Sequence, residues 1–266
     1  MLRDITLGQY YPVDSVIHRL DPRTKLLGTL LFIISLFCMD SAWGYGLAAL
    51  FLAMTIRLSK VPLKFMVRGL KAVLVLLLIS VSFNLFLTPG REIFRLGFLK
   101  ITWEGLRTAV FMAVRLIFLV LGSSVMTLTT TPNELTDGLE KGLGFLKKVG
   151  VPVHEVAMMM SIALRFIPIL IEEADKIMKA QMARGADFES GNIVQRAKSM
   201  VPLLVPLFIS AFRRATDLAM AMEARCYRGG EGRTKMKPLR YHRRDRLAQL
   251  LLVLYLAAVI VLRVMI

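Results

Sequence analysis

The apolar residues of the chain fall into long blocks that are separated by short, mostly basic segments. Five blocks have the character of membrane helices, and they cover residues 26–38, 42–56, 67–87, 106–128 and 247–264. A helix needs about 20 residues to span a bilayer, so the first two blocks predict a hairpin of short or tilted helices and the others predict full spans. The pattern therefore predicts an all-α integral membrane protein with about five transmembrane helices.

A different pattern, with the periodicity of an amphipathic helix, fills residues 152–228. Apolar positions recur there at alternating steps of four and three through residues 156–177 and again through residues 201–222. Two more steps, through Gln181, reach Arg184 in the first segment, and the next step reaches Arg225 in the second. Both arginines are therefore predicted to continue an apolar seam along which one helix meets its neighbour.

These segments predict a domain of long amphipathic helices, at about 153–185 and 191–228. A shorter helix is expected before them, at about 132–147. Thr131 and Glu134 stand in the spacing of a capping box, which marks the start of that shorter helix.

The distribution of charge predicts which side of the membrane each segment occupies. The chain has a formal net charge of +16. Residues 57–71 hold five basic side chains and no acid, and residues 225–246 hold nine basic side chains against two acids. Basic clusters beside membrane helices mark the cytoplasmic side, so both clusters are placed there.

With the cluster at 57–71 inside, the number of crossings predicts a cytoplasmic N-terminus and an outer loop at 89–105. The chain is then divided into an N-terminal membrane domain of about four transmembrane helices (1–128), a cytoplasmic coupling domain (129–246) and a C-terminal transmembrane helix (247–266). If the apolar segments at 156–171 and 200–212 both crossed the membrane, five basic residues between them would be translocated. They are Lys176, Lys179, Arg184, Arg196 and Lys198.

Polar and small residues inside the apolar blocks carry their own expectations. Arg115 lies within the fourth block, where a charge facing lipid is costly, so its side chain is expected to face protein or water. Gly122-Ser123-Ser124 in the same block and Asn84 in the third either allow close helix contact or are ordinary polar spots.

Composition and motifs argue against several other classes of protein. The basic segments lack interleaved aromatic residues, so no nucleic acid is expected as a partner. No phosphate-binding loop of the Gly-x-x-x-x-Gly-Lys-Ser/Thr type occurs, so the chain is expected to be no enzyme and to have no ATP site of its own. Cys38, Cys226 and the histidines at 18, 154 and 242 fit neither a disulfide framework nor a metal-ligand spacing, so no cofactor or metal is expected.

The chain carries one tripeptide pattern twice, as Ala183-Arg184-Gly185 and Ala224-Arg225-Cys226. Each copy follows a long helical segment. A guanidinium group with five donors in this position calls for an acidic partner, which makes these six residues candidate docking residues. The alternative is that arginines near helix C-termini favour the helix dipole and that their duplication is a coincidence.

The segment from Ser15 to Leu26, Ser-Val-Ile-His-Arg-Leu-Asp-Pro-Arg-Thr-Lys-Leu, reads as the entry to a helix. Asp21 is expected to cap this helix, with Arg23 and Lys25 at the cytoplasmic surface. This segment, Arg165-Phe-Ile-Pro168 and the two arginine tripeptides together resemble, in order along the whole chain, the transmembrane coupling subunit (T component, EcfT family) of energy-coupling factor importers.

The resemblance implies a membrane part and cytoplasmic coupling helices that form a V or an X. It implies that Arg184 and Arg225 dock into grooves on two ATP-binding-cassette ATPase subunits (EcfA-type). A separate substrate-binding membrane protein, the S component, would rest on the coupling helices. The implied role is vitamin or metal-ion uptake across a prokaryotic plasma membrane.

Methionine-rich stretches of the coupling helices are either adaptable surfaces for that partner or plain core filling. The candidate contacts for the S component are Met158, Met159, Met160, Arg165 and Pro168. Cys226 departs from the glycine of the first tripeptide, so the second helix is expected to end later, near Gly229.

Two alternative functions remain at the level of sequence. One is a conventional permease of an ATP-binding-cassette transporter. The other is a self-sufficient secondary transporter, which would show repeated spans and acidic residues within the membrane. The apolar blocks contain no Asp or Glu, and the duplicated tripeptide argues against the permease.

Overall fold

The computed structural model describes residues 9–39, 41–89, 91–96, 99–186, 188, 192–230, 236 and 238–265. At positions 72, 87, 92–96, 99–101, 193, 196 and 197 the structure describes the backbone alone. The chain divides into two compact units. We call them the bundle unit (residues 8–141 and 239–266) and the hairpin unit (residues 142–238).

The bundle unit contains six α-helices and one small sheet within its described residues. The helices are α1 (Pro22–Phe37), α2 (Ala42–Ser59), α3 (Leu63–Leu87), α4 (Trp103–Thr129), α5 (Pro132–Gly142) and α8 (Arg243–Met265). The sheet pairs β1 (Glu92–Leu96) with β2 (Leu99–Thr102) in antiparallel orientation, between α3 and α4. The predicted all-α class is confirmed, and the sheet is a local addition that the apolar pattern did not indicate.

The hairpin unit is built from two long helices, α6 (Val153–Ala183) and α7 (Ile193–Ala224). A 3₁₀ helix at Gly144–Val149 precedes α6. The short helix predicted at about 132–147 is thus α5 followed by this 3₁₀ segment. Asn192 and Gln195 form the capping box that begins α7.

Four described helices are long and apolar enough to cross a membrane, namely α2, α4, α6 and α8. The two parts of α3, Leu63–Lys71 and Val73–Phe86, meet at a bend of 60° and are together long and apolar enough to cross a membrane. With 16 residues, α1 is shorter than a full span. Length and composition do not show which helices cross the membrane, so the cytoplasmic placement of α6 stays a prediction.

The core of the bundle unit forms where α1, α2, α4 and α8 meet. Its buried apolar side chains include Phe32, Tyr45, Leu52 and Tyr255. Gly122 on α4 lies directly against Phe32 on α1, because a Cβ atom at Gly122 would stand 2.8 Å from the Phe32 ring. Of the two alternatives that the sequence left open at Gly122, the structure shows the close helix contact.

Arg115 lies in the middle of α4 and is held by polar atoms of the protein. Its Nε donates to the Tyr45 hydroxyl at 2.9 Å, and its terminal nitrogen donates to the Met39 carbonyl at 2.9 Å. The guanidinium also lies 5.6 Å from the centre of the Phe37 ring. The expectation that Arg115 faces protein is confirmed.

Candidate functional site

The two arginine tripeptides form helix ends with the same hydrogen bonds. Arg184 is the C-cap of α6 and Arg225 is the C-cap of α7. After Arg184, the Gly185 amide donates to the Met182 carbonyl and the Ala186 amide donates to the Gln181 carbonyl. This pair of bonds, from the first and second residues beyond the cap, is a Schellman motif.

The end of α7 repeats this motif residue for residue. The Cys226 amide donates to the Glu223 carbonyl at 2.8 Å, and the Tyr227 amide donates to the Met222 carbonyl at 3.1 Å. The two tripeptides therefore place an arginine at the same position of the same local fold.

The expectation that α7 would end later, near Gly229, is wrong. The helix ends at Ala224, and Cys226 itself takes the left-handed conformation with φ of 53°, where Gly185 has φ of 87°. The Schellman hydrogen bonds hold a non-glycine residue in this conformation. The departure at Cys226 thus changes the residue and leaves the turn unchanged.

Contacts between α6 and α7 show that the helices run antiparallel. Gln181 near the end of α6 donates to the Pro202 carbonyl near the start of α7, and Glu173 earlier in α6 pairs with Arg214 later in α7 at 2.9 Å. Arg184 and Arg225 therefore lie at opposite ends of the hairpin unit. At 1.5 Å per residue, helices of this length separate their ends by about 45 Å.

Both arginine side chains are exposed. Among the described residues, neither Arg184 nor Arg225 forms an ion pair with a carboxylate. The hairpin unit thus presents two accessible guanidinium groups, one at each end, and each is available to an acidic partner.

The predicted seams are only partly the contact line between the two helices. In α7 the C-terminal half of the seam faces α6, through Ala211, Ala215, Leu218 and Met222, which line a 280 Å³ crevice between the helices. In α6 the crevice is lined by Ile162, Phe166 and Leu170, of which Leu170 belongs to the predicted seam, and Gln181 of the seam contacts Pro202 of α7. The remaining seam residues that are exposed include Val156, Met160, Val201, Leu204 and Phe208.

The N-terminal half of α7 exposes a continuous apolar surface within this chain. Its members are Val201, Leu204, Val205, Phe208, Ile209 and Phe212. Contiguous apolar surface on this scale marks a contact with another protein or with lipid. It agrees with the expectation that a partner or the membrane covers this half of the helix.

The five candidate S-component contacts lie on the first half of α6. Met159, Met160, Arg165 and Pro168 are exposed, and Met158 is half-buried. Pro168 lies inside the helix. Within this chain Met159 and Met160 are surface residues, and Met158 is partly covered by the chain itself.

The entry to α1 forms a polar clasp in the bundle unit that the sequence indicated only in part. Asp21 caps α1 as expected, accepting from the Arg23 amide at 2.9 Å. Its own amide donates at 2.7 Å to Asp245, which is fully buried at the start of α8. Arg23 pairs with Asp21 at 3.0 Å and lies over the Tyr241 ring, so these residues join α1 to the start of α8.

The expectation that Lys25 stays at the surface is wrong. Lys25 is buried, and its ammonium group donates to the His18 carbonyl at 3.0 Å and to the Thr129 carbonyl at 2.8 Å. Lys25 thereby links α1 to the end of α4. The sequence showed a basic residue at a helix start, but it could not show that two carbonyl groups converge on that position.

The carboxyl group of Asp21 has an altered acidity. Burial raises the pKa of Asp21, but hydrogen bonds from the Arg23 guanidinium and amide outweigh this effect, so the pKa lies below its ordinary value. The same direction holds for the pKa of Asp14, where the guanidinium of Arg19 is hydrogen-bonded to the carboxylate. Both groups lie before the first residue of α1.

Among the described residues, no cluster of three or more metal-ligating side chains occurs. The candidate site consists of two arginines on matched helix ends and an exposed apolar surface on α7. The apolar helices of the chain, four or five of which are long enough to span a membrane, define a multi-pass membrane protein.

Comparison with known proteins agrees with this class. The family described as "CbiQ: Cobalt transport protein" matches residues 14–236. A protein of Thermosediminibacter oceani called "Energy-coupling factor transporter transmembrane protein EcfT" is 60% identical over 239 residues, which cover 90% of each chain. Proteins of the same name from Clostridium kluyveri and Bacillus subtilis are 57% and 49% identical, over 94% and 92% of this chain and 93% of each of those proteins.

The chain belongs to the CbiQ cobalt transport protein family and, within it, to the EcfT transmembrane proteins of energy-coupling factor transporters. The resemblance that the sequence motifs indicated is confirmed.

Proposed function

We propose that this chain is the non-catalytic coupling subunit of an energy-coupling factor importer for a vitamin or a metal ion. Arg184 and Arg225 each dock in an acidic groove of one ATP-binding-cassette subunit, so one chain binds two ATPases. A separate substrate-binding membrane protein rests on α6 and α7. The chain lies in a prokaryotic plasma membrane with its N-terminus and the hairpin unit in the cytoplasm.

The observation that carries this proposal is the repetition of one helix end. The two Schellman motifs have the same hydrogen bonds, hold an arginine at the same position and lie at opposite ends of an antiparallel hairpin. Two homologous partners need two equivalent docking groups at separate places, and a single permease-type coupling helix does not supply them. A protein named as an energy-coupling factor component is 60% identical over an alignment that covers 90% of this chain, which supports the same role.

The first prediction concerns stoichiometry and the two arginines. The tagged chain should be recovered from membranes with ATP-binding-cassette subunits in a ratio of about one to two by native mass spectrometry. Arg184→Ala should weaken ATPase recovery, because truncating one partner of a buried charge pair costs about 2 to 5 kcal/mol. The double variant with Arg225→Ala should release both ATPases and abolish uptake.

Arg213→Ala is the matched control, since Arg213 is an exposed arginine of α7 that lies 12 residues before Arg225. This variant should keep the ATPases. Arg184→Lys should assemble in part and transport poorly, because lysine keeps the charge but lacks the planar fork of donors. Wild-type uptake by the double alanine variant, or a stable complex with a single ATPase, would show that the docking role is wrong.

A further inference from the structure

A groove of about 380 Å³ lies in the bundle unit between α1, α2, α4 and α8. Its walls are mainly apolar, and one end is closed by Phe32 and Phe51, whose rings both lie against Tyr255. Along its side, the lining residues Met54, Leu58, Val16, Leu247 and Leu251 are exposed. The groove thus has a closed apolar end and an open apolar flank, and its volume is in the range of ligand sites.

The opposite end of the groove is basic. Lys25, Arg243 and Arg244 line it there, together with Thr24 and Thr129. Lys25 is held by two carbonyl oxygens, and neither Arg243 nor Arg244 forms an ion pair with a described carboxylate. The groove therefore carries an excess of positive charge at the end where α1 and α8 begin.

The acidic residues whose charges act on Lys25 at this end are Glu134, Asp21 and Asp245. Asp21 is paired with Arg23, Asp245 accepts from the amides of Asp21 and His242, and Glu134 accepts from the amide of Thr131. None of the three carboxylates lines the groove. The charge of Arg243 and Arg244 is therefore available to an anion from outside the chain.

We propose that this groove binds one anionic phospholipid, with the phosphate between Arg243 and Arg244 and one acyl chain along the apolar walls as far as Phe32. The two ends of the groove match the two ends of such a molecule. A free phosphate would gain nothing from the apolar wall, and an uncharged apolar ligand would gain nothing from the arginines. Basic pockets between membrane helices on the cytoplasmic side are a known setting for anionic headgroups.

The occupant is a lipid rather than a partner helix because the groove is short. From Thr24 to Phe32 it extends over eight residues of α1, or about 12 Å. A membrane helix of about 20 residues is about 30 Å long and would extend far beyond both ends, whereas the volume of the groove is in the range of small-ligand sites. The groove uses neither Arg184 nor Arg225, so this site is independent of the proposed docking role.

Gly28 offers a direct way to fill the groove. It lines the groove on α1, and a Cβ atom added there would meet no heavy atom within 4 Å. Leucine at this position would occupy the space of the acyl chain without moving the backbone, and it favours a helix more than glycine does. Gly46 on α2 is the matched control, because it is equally unobstructed, exposed and outside the groove.

The test uses the full-length chain, purified in mild detergent, stripped of lipid and titrated separately with phosphatidylglycerol, phosphatidylcholine and inorganic phosphate. Native mass spectrometry counts the bound molecules, and the thermal unfolding midpoint gives a second readout. We expect one phosphatidylglycerol per chain, bound about tenfold more tightly than phosphatidylcholine. Gly28→Leu should lose this binding, and Gly46→Leu should keep it.

The double variant Arg243→Gln with Arg244→Gln should bind phosphatidylglycerol and phosphatidylcholine with nearly equal affinity. The double variant Arg240→Gln with Arg246→Gln, which removes the same amount of charge, should still prefer phosphatidylglycerol. Equal binding of phosphatidylglycerol by Gly28→Leu and wild type would overturn the proposal. So would an unchanged preference in the Arg243 and Arg244 variant, saturation by inorganic phosphate alone, or no lipid bound to the wild type. Should Gly28→Leu fail to fold, the exposed arginines decide the question.

Discussion

At position 226 a cysteine holds a backbone conformation that glycine adopts without strain. A left-handed conformation costs a residue with a Cβ atom about 1 kcal/mol or more relative to glycine. Gly185 occupies the equivalent position of α6 at no such cost, so the two helix ends have the same hydrogen bonds and different local energies. The Schellman bonds of α7 must therefore offset strain that those of α6 do not meet.

We expect a reciprocal exchange to show this difference. Cys226→Gly should stabilise the end of α7 by about 1 kcal/mol, and Gly185→Cys should destabilise the end of α6 by a similar amount. Hydrogen exchange at the amides of Tyr227 and Ala186, which donate the outer Schellman bonds, measures each effect. Equal exchange in wild type and both variants would show that Cys226 is not strained.

Arg115 shows what a single residue in an apolar block can and cannot tell. The cost of a charge in lipid predicted that its side chain would turn toward protein. Its acceptors, the Tyr45 hydroxyl and the Met39 carbonyl, lie about 70 residues earlier in the chain, so they depend on how α2 and α4 pack. A sequence thus shows that a charged side chain in an apolar helix requires polar partners, whereas the tertiary structure determines which groups these are.

At the scale of elements, close approach of helices depends on where side chains are missing. α1 and α4 meet at Gly122, against which the ring of Phe32 packs, and α3 and α4 meet at Gly105, where a Cβ atom would stand 3.1 Å from the Asn84 carbonyl oxygen. Asn84 itself donates to the Ser80 carbonyl within α3, so its side chain serves its own helix. The glycines therefore set the spacing of the bundle.

Alanine at position 122 tests that spacing. Gly122→Ala should destabilise the bundle unit by about 1 to 3 kcal/mol, the usual cost of overpacking, because the added methyl group would overlap the Phe32 ring. Gly46→Ala, at an unobstructed helical position, should be neutral or stabilising. The thermal unfolding midpoint measures both, and Phe32→Leu combined with Gly122→Ala should recover part of the loss.

The hydrogen bonds of Asp21 before α1 make the stability of the fold depend on pH. Folding lowers the pKa of Asp21 below its ordinary value of 3.8, so the unfolded chain takes up this proton at a higher pH than the folded chain. The stabilisation is present above pH 3.8 and is lost as the pH falls through the lower pKa of the folded state.

Asp21→Asn should accordingly lower the unfolding midpoint at neutral pH, and its difference from wild type should shrink toward zero in acid. Asp14→Asn is the control, because Asp14 forms a pair with Arg19 that is mostly exposed and therefore contributes little. A difference between Asp21→Asn and wild type that stays constant from neutral pH into acid would show that the Asp21 carboxylate does not stabilise the fold.

Periodicity predicted the long helices, but the contacts between them needed the three-dimensional structure. A periodic apolar pattern predicts the same contact along the whole length of a helix. In the structure α6 and α7 contact each other over part of their length, and Val201 and Phe208 of α7 are exposed. Proline adds a local rule: Pro206 has no amide hydrogen for the Pro202 carbonyl, and Gln181 of α6 donates to that carbonyl instead. The sequence shows the free carbonyl, and the structure identifies its donor.

The candidate site was likewise predictable from the sequence only in part. The duplicated tripeptide was visible in the sequence, and each copy marks a helix end. That Cys226 would reproduce the turn of Gly185 was not visible, because residue preference disfavours it and the surrounding hydrogen bonds decide it. The groove between α1 and α8 also escaped the sequence, since its lining comes from segments more than 200 residues apart.

At the scale of the whole molecule, charge and hydropathy give opposite indications for α6. It is apolar enough to count as a span, yet crossing by both α6 and α7 would carry Lys176, Lys179 and Arg184 to the outer side. Basic residues accumulate on the cytoplasmic side of membrane proteins, and the proposed docking role of the two arginines requires the same side. Both arguments favour a cytoplasmic hairpin unit whose exposed apolar surface is covered by a partner.

The last prediction tests this topology with single cysteines. In a background of Cys38→Ala and Cys226→Gly, cysteine replaces Glu189 or Glu231, which lie outside the described residues, or Arg91 in the loop between α3 and α4. An impermeant thiol reagent applied to intact cells should label position 91 alone, because charge places the other two in the cytoplasm. All three positions should react once the cells are lysed, which controls for accessibility. Labelling of position 189 but not 231 in intact cells would show that α6 and α7 cross the membrane, and it would remove Arg184 from the side on which an ATPase could bind it.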